Sequence, residues 1–126
     1  MAKVWVLERF VNDIEMANTL VDIKEMNEKL KEKISDENEI AKLDKMVTRW
    51  EKKMKENPNG YWSGWEGKSN YKSFCNVAKD AIRRKPYDKF RVVEAEVKDD
   101  SRTWLGYKVV KVNDGVLRYL MATYNK

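Results

Sequence analysis

Four groups of residues in this 126-residue chain have types and spacings from which chemistry is built. The first is Gly64-Trp65-Glu66-Gly67-Lys68-Ser69, whose closing Gly-Lys-Ser has the form of a phosphate-cradling loop. Spacing argues against that chemistry, because the motif needs a glycine five positions before Gly67, where Trp62 stands. Context argues against it too, since such a loop joins a strand to a helix and the segment before this one reads as helical. The second group is Tyr61, Trp62 and Trp65, on the glycine-bearing stretch 57–71 that reads as a loop between two charged helices. Rings so placed either form an anchoring or stacking platform or fold back to plug the core. The third group is basic: Lys68, Lys72, Lys79, Arg83 and Arg84, continued by Lys85. Within it Lys72, Asn76, Lys79 and Arg83 recur at four, three and four, which is one stripe of a helix. A basic track beside tryptophans has the composition of a single-strand platform, and a solvated helix face has the same composition. The fourth is Asp88 with Glu96-Val97-Lys98, the acid and E-x-K pattern of magnesium nucleases. In that architecture the first acid normally comes from a neighbouring strand, whereas Asp88 precedes the strand that carries Glu96.

Other chemistries are excluded by composition. With no histidine and one cysteine, Cys75, the usual zinc sites, histidine triads and cysteine–histidine pairs have no residues to form them. Cys75 lies beside the apolar face of a helix, where a buried, inert thiol is expected. Glu94 and Glu96 point to one face of a strand and read as a solvent-facing pair. No catalytic residue, metal ligand or cofactor is expected.

The elements that must position these groups read as an α+β fold of one domain, residues 1–126. Lys3 to Phe10 is rich in β-branched and aromatic residues and reads as a strand. Asn18 to Ile23 reads either as a second strand closing a hairpin or as part of a helix from near Asp13 to Lys33; its β-branched residues favour the hairpin. Helical spacing is plain from Lys24, through Met26, Leu30 and Ile34. Asp36 with Glu39 has capping-box form, and the helix it opens presents Ile40, Leu43, Val47, Trp50 and Met54 until Pro58 and Gly60 stop it. A third helix covers about Asn70 to Lys85, with Tyr71, Phe74, Ala78, Ala81 and Ile82 as its apolar face. The remainder reads as a three-stranded meander: Lys89 to Lys98, a turn at Asp99 to Arg102, Trp104 to Val112, a hairpin turn at Asn113-Asp114-Gly115, and Val116 to Tyr124. The expected architecture is thus an antiparallel sheet, from an N-terminal strand or hairpin and that meander, with two to three helices inserted between. Apolar residues on both faces of the last two strands imply cover on both sides, by helices on one, with a second subunit as a candidate for the other.

The net charge of +5 is not spread evenly. Residues 1–67 and 92–126 nearly balance, while residues 68–91 hold eight cations against Asp80 and Asp88. A localised field of this kind implies an acidic or nucleic-acid-bearing partner. One cysteine fits a reducing cytoplasm, no run approaches a membrane span, and no secretory leader is expected at the N-terminus.

The chain is short, rich in Lys and Asn, with tryptophan and methionine and no histidine; in this it is similar to small accessory proteins of bacteriophages and mobile elements. Such proteins often act by binding, occluding a host enzyme, a defence complex or a nucleic acid. The resemblance is compositional and carries no motif. The expected function is that of a non-catalytic binding or regulatory protein. Its partner would be a macromolecule, a protein or a protein–nucleic acid complex, met through Tyr61, Trp62, Trp65, Lys68, Lys72, Lys79, Arg83 and Arg84. Nucleic-acid or nucleotide binding, a metal-dependent nuclease and a homo-oligomer component are the alternatives.

Overall fold

Three polar side chains start three helices. Asn12 accepts the Glu15 N–H at 2.8 Å, Asp36 the Asn38 N–H at 2.8 Å and Asn70 the Ser73 N–H at 2.9 Å. Each satisfies an amide that the first helical turn leaves without an intrahelical acceptor. A computed structural model describes residues 2–98 and 106–123. The elements in order are β1 (Ala2–Val11), α1 (Asp13–Lys31), α2 (Glu37–Glu56), β2 (Tyr61–Lys68), α3 (Tyr71–Arg84), β3 (Phe90–Val97), β4 (Lys108–Val112) and α4 (Asp114–Thr123). The fold is α+β, as expected, with one sheet in the order β2-β1-β3-β4. The turn expected at Asp99 to Arg102 and the first residues of the strand expected from Trp104 lie outside the described residues.

Three local expectations are corrected. Asn18 to Ile23 is helical, inside α1. Met16 and Asn27 are buried and Leu20 and Ile23 half-buried, a spacing of four, three and four that only a helix delivers to one side. Thr19 also settles into the helix by donating its hydroxyl to the Glu15 carbonyl at 2.9 Å. These contacts outweigh the few tenths of a kcal/mol, up to about 0.7, that each β-branched residue costs in a helix.

The second correction concerns 57–71, where Tyr61–Lys68 is not a loop but strand β2, hydrogen-bonded beside β1. The chain turns into it at Gly60, whose φ of 104° suits glycine and whose N–H donates to the Asn57 carbonyl at 3.1 Å. The third is at the C-terminal end, where Asn113-Asp114-Gly115 starts a helix and the strand expected from Val116 is α4. Asn113 Oδ1 accepts the Val116 N–H at 3.2 Å, and its Nδ2 donates to Glu94 Oε2 at 3.0 Å. Helical spacing then turns Val116, Leu117 and the fully buried Leu120 onto the core.

The chain divides into two compact units, residues 1–10 with 62–126, and Val11–Tyr61. In the first, β1 and β3 pair antiparallel, with Leu7 opposite Val92 and Val6 opposite Val93. Opposed residues share a face. One face, with Leu7, Phe90 and Val92, packs under Phe74, Ala78, Ala81 and Ile82 of α3 and Leu120 of α4. The other gathers Val4, Val6, Val93, Ala95 and Val97, all at most 6% exposed, with Tyr107 packed on them. This second face is buried along β1 and β3, whereas Val109, Val110 and Val112 of β4 remain exposed. Between β3 and β4 the register slips, Glu94 facing Lys111 and Ala95 facing Val109, which leaves Val110 as the extra residue of a bulge. In the second unit α1 and α2 form an antiparallel hairpin, tied by Asn27 Nδ2 to the Leu43 carbonyl at 2.9 Å and Trp50 Nε1 to the Met16 carbonyl at 3.0 Å.

Two measurements check this account. Gly115 has no positive φ, and a Cβ there would meet nothing nearer than Asn113 Oδ1 at 3.5 Å. Gly115→Ala is therefore expected to leave stability unchanged or raise it by up to about 1 kcal/mol in denaturant unfolding. A hairpin turn with φ > 0 at that glycine would instead lose stability. Glu94 is held below its ordinary pKa, first by its hydrogen bond from Lys3 at 2.6 Å and then by Asn113. A depressed carboxylate stabilises the fold above its unfolded value of 4.5 and ceases to as pH falls through the folded value. Thermal midpoints of the wild type and Glu94→Gln should thus differ at pH 7 and converge as acidification carries the pH below 4.5 and through the lowered folded value.

Candidate functional site

Strand β2 decides where the tryptophans go. Trp62 and Trp65 are an odd number of residues apart, so alternation sends them to opposite faces of the sheet. Trp65 shares its face with Arg9 of β1, whose guanidinium lies 5.2 Å from the ring centroid. Trp62 shares the other with Phe10, whose ring centroid is 5.2 Å away edge-on. Tyr61 belongs to the helical unit, where it meets Trp50 at 6.5 Å and lies under Lys53 Nζ at 4.1 Å. The three rings therefore do not form one platform.

Around Trp65 the strand and α3 enclose a cleft of about 300 Å³, lined by Trp65, Glu66, Ala81, Arg84 and Lys85. Ala81 is buried and forms its floor, while Trp65 keeps 37% of its surface exposed. Arg84 and Arg83 both bond the carboxylate of Asp80, at 2.6 and 2.8 Å, so one acid serves two exposed cations. The Arg83 hydrogen bond, followed by the charge of Arg84, holds Asp80 below the usual carboxylate range. Arg84 and Lys85 thus bring positive charge to the rim of an apolar slot, with Glu66 as the one acid. Such a slot receives a flat or aliphatic side chain and favours an anionic neighbour to it.

The opposite face holds a different assembly. Glu8 is 3% exposed and accepts from Arg91 Nε at 2.6 Å and from the Tyr107 hydroxyl. The Arg91 guanidinium lies 4.6 Å from the Trp62 centroid, and Lys89 Nζ lies 5.7 Å from the same ring. Burial, then the bond to Glu8, pushes the Tyr107 hydroxyl far above its ordinary pKa, so it serves as a permanent donor. This is a charge pair with a buried acid and a partly buried base, capped by a ring, and loss of either partner leaves the other uncompensated.

Of the expected site residues, only Trp65 and Arg84 come together around one cleft. Arg83 shares Asp80 with Arg84. Lys79 lies half-buried with Nζ 5.2 Å over the ring of Tyr119, and Lys68 and Lys72 are exposed. The context objection to the Gly64–Ser69 phosphate loop is also revised, since a strand does precede helix α3. The residues concerned are nevertheless extended strand as far as Lys68, and the glycine spacing still departs from the motif. Asp88 lies in a bend before β3 and Glu96 near the far end of that strand, with six residues of extended chain, roughly 20 Å, between Phe90 and Glu96. Asp88 instead faces Arg9 at 3.8 Å, and no cluster of three acidic, histidine or cysteine groups among the described residues has the geometry of a metal site. Cys75 is buried, at 8% exposure.

Sequence reading placed Lys85 only as the continuation of the basic group, and did not single out Arg9 or the Glu8–Arg91–Tyr107 set. Glu8 gave no sign, because a charge inside a strand reads as solvent-facing until its cross-strand partner Arg91 is known. Glu8→Ala should cost about 3 kcal/mol in urea unfolding, the lower end for a broken buried pair because Arg91 keeps a quarter of its side chain in water. The conservative Arg91→Lys, which loses the bond geometry but keeps the charge, should cost less.

Comparison with protein-family models, curated proteins and solved structures returns no match for this chain.

Proposed function

We propose that the protein is a small non-catalytic binding protein that acts by occupying a surface of a macromolecular partner. The observation that supports this reading is the Trp65 cleft. A tryptophan that a fold keeps partly open, over a buried alanine floor and beside Arg84 and Lys85, is the kind of anchor that dominates binding energy. Its positive rim favours an acidic stretch of the partner and disfavours a basic one.

Chemistry of the chain agrees with binding rather than turnover. Histidine is absent, and the single thiol is buried in the core under α3. The compositional similarity to bacteriophage accessory proteins supports a partner of the host-enzyme or defence-complex kind, modulated by occlusion. One unpaired, buried cysteine is compatible with a reducing cytoplasm. Among the described residues no helix is long and apolar enough to cross a membrane.

The test is capture of partners from a lysate of the source cells by wild type, Trp65→Ala and Arg84→Glu, with thermal midpoints recorded for each. The expected result is one defined partner whose retention falls roughly 30-fold or more, the loss of an interface anchor worth about 2 kcal/mol, in both variants. Arg84 is two-thirds exposed, so Arg84→Glu should leave the midpoint within a few degrees. Full retention by both variants would remove the cleft from the binding surface.

A further inference from the structure

Helix α2 sorts its side chains onto three faces. Ile40, Leu43, Val47, Trp50 and Met54 are half-buried along one. Asp44 and Glu51, seven apart, turn to α1, where Lys31 Nζ lies 2.5 Å from Asp44 Oδ1 and Lys24 Nζ 3.9 Å from Glu51 Oε1. The third face carries Lys42, Lys45, Thr48, Arg49 and Lys52, all exposed. Its four cations recur at three, four and three and so run along about 15 Å of one side of the helix.

The acids that could neutralise this row inside the helix are committed to α1 or stand at its ends. Glu39 pairs with Lys42 at 3.2 Å and Glu56 with Lys52 at 3.8 Å, both in water, where such pairs hold weakly. Among the described residues no ion pair engages Lys45 or Arg49. A shallow depression of about 370 Å³ lies over Lys42, Lys45, Thr48 and Arg49. Like charges at this spacing repel and weaken a helix, so the row is maintained against local electrostatics.

We propose that this face of α2 binds the phosphate backbone of a nucleic-acid duplex. Three features select that partner. First, the row is flanked by a single exposed large apolar side chain, Met46, too little to form the dry centre of a protein interface, and lysine is depleted from such interfaces. Lysine, arginine and a threonine hydroxyl are, by contrast, the groups that contact phosphate. Second, without a ring on this face an unpaired strand has nothing to stack on, so a duplex gives up nothing by keeping its bases paired. Third, a duplex carries one charge per about 1.7 Å of axis over its two strands, a density at which each of four cations spread along 15 Å of helix can reach a phosphate. Contacts of this kind carry no sequence preference. The inference is independent of the Trp65 cleft, which lies in the other compact unit.

The test is fluorescence anisotropy of the whole protein with a labelled random-sequence duplex of about 20 base pairs, from 50 to 200 mM salt. Four phosphate contacts give a log–log salt slope near −3.6 and an affinity loss of about 10² across that range. Lys45→Gln and Arg49→Gln should each flatten the slope by about one unit and weaken binding about tenfold at 0.1 M salt. The double change Lys45→Glu with Arg49→Glu should abolish binding with helicity by circular dichroism unchanged, and Trp65→Ala should leave it intact. The proposal is overturned by absence of binding at 50 mM salt, or by unchanged binding in the doubly substituted protein. Tighter binding of the single strand, or equal competition by polyglutamate at matched charge, overturns it as well.

Discussion

Everything in the sheet-bearing unit depends on the pairing of β1 with β3. Residues 2–9 run against 90–97, so the central pair of the sheet joins one of the earliest segments of the chain to one near its far end. That pair supplies both inner surfaces: Leu7 and Val92 under the helices, Val6 and Val93 on the reverse. The two tryptophans of β2 inherit their positions from it, because β2 lies against β1 and each ring takes the side of the β1 residue it meets. The buried bond between Glu8 and Arg91 crosses the same pair, a polar tie within an otherwise apolar register. A register slip of one residue would turn the apolar residues of both strands to the wrong faces.

The parts of this fold legible in the sequence are those where local chemistry and burial agree. Asn70 caps α3, Pro86 follows it, and its Phe74, Ala78, Ala81 and Ile82 are buried as their spacing requires. Asp36 opens α2, and Lys3 to Phe10 is a strand. Elsewhere local signals pointed away from the tertiary answer. Thr19, Val21 and Ile23 are strand-favouring residues held in a helix by what Met16 and Asn27 bury. Asn113-Asp114-Gly115 is equally good chemistry for a hairpin turn and for a helix start, and the deciding contact, Asn113 with Glu94, is distant in sequence. Tyr61 to Lys68 was unreadable as a strand because glycines and aromatics suit a loop as well as a sheet edge.

Candidate sites were legible to the extent that they were local. The association of Trp65 with the cations after it survives folding, through Arg84 and Lys85 at one cleft. The pairing of Trp62 with Trp65 does not, since two residues close in a strand are separated by the sheet itself. The row on α2 escaped notice for a complementary reason. Summed over residues 1–67 the charges nearly cancel, and only their angular placement, acids toward α1 and bases away, reveals an unbalanced face.

The sequence separation of β1 from β3 also orders events in time. Contacts that close about 80 residues of chain are costly in entropy and form late, whereas the α1–α2 hairpin is built from neighbours. During synthesis from the N-terminus, the strand Val-Trp-Val-Leu leaves the ribosome ahead of the other elements of the fold and has no central partner until Phe90 to Val97 follow. The helical unit can assemble in the interval. At about 5–20 residues per second, β1 therefore waits on the order of five to twenty seconds for its central partner, with only the edge strand β2 to pair with before then, the period in which this chain is most exposed to misassembly.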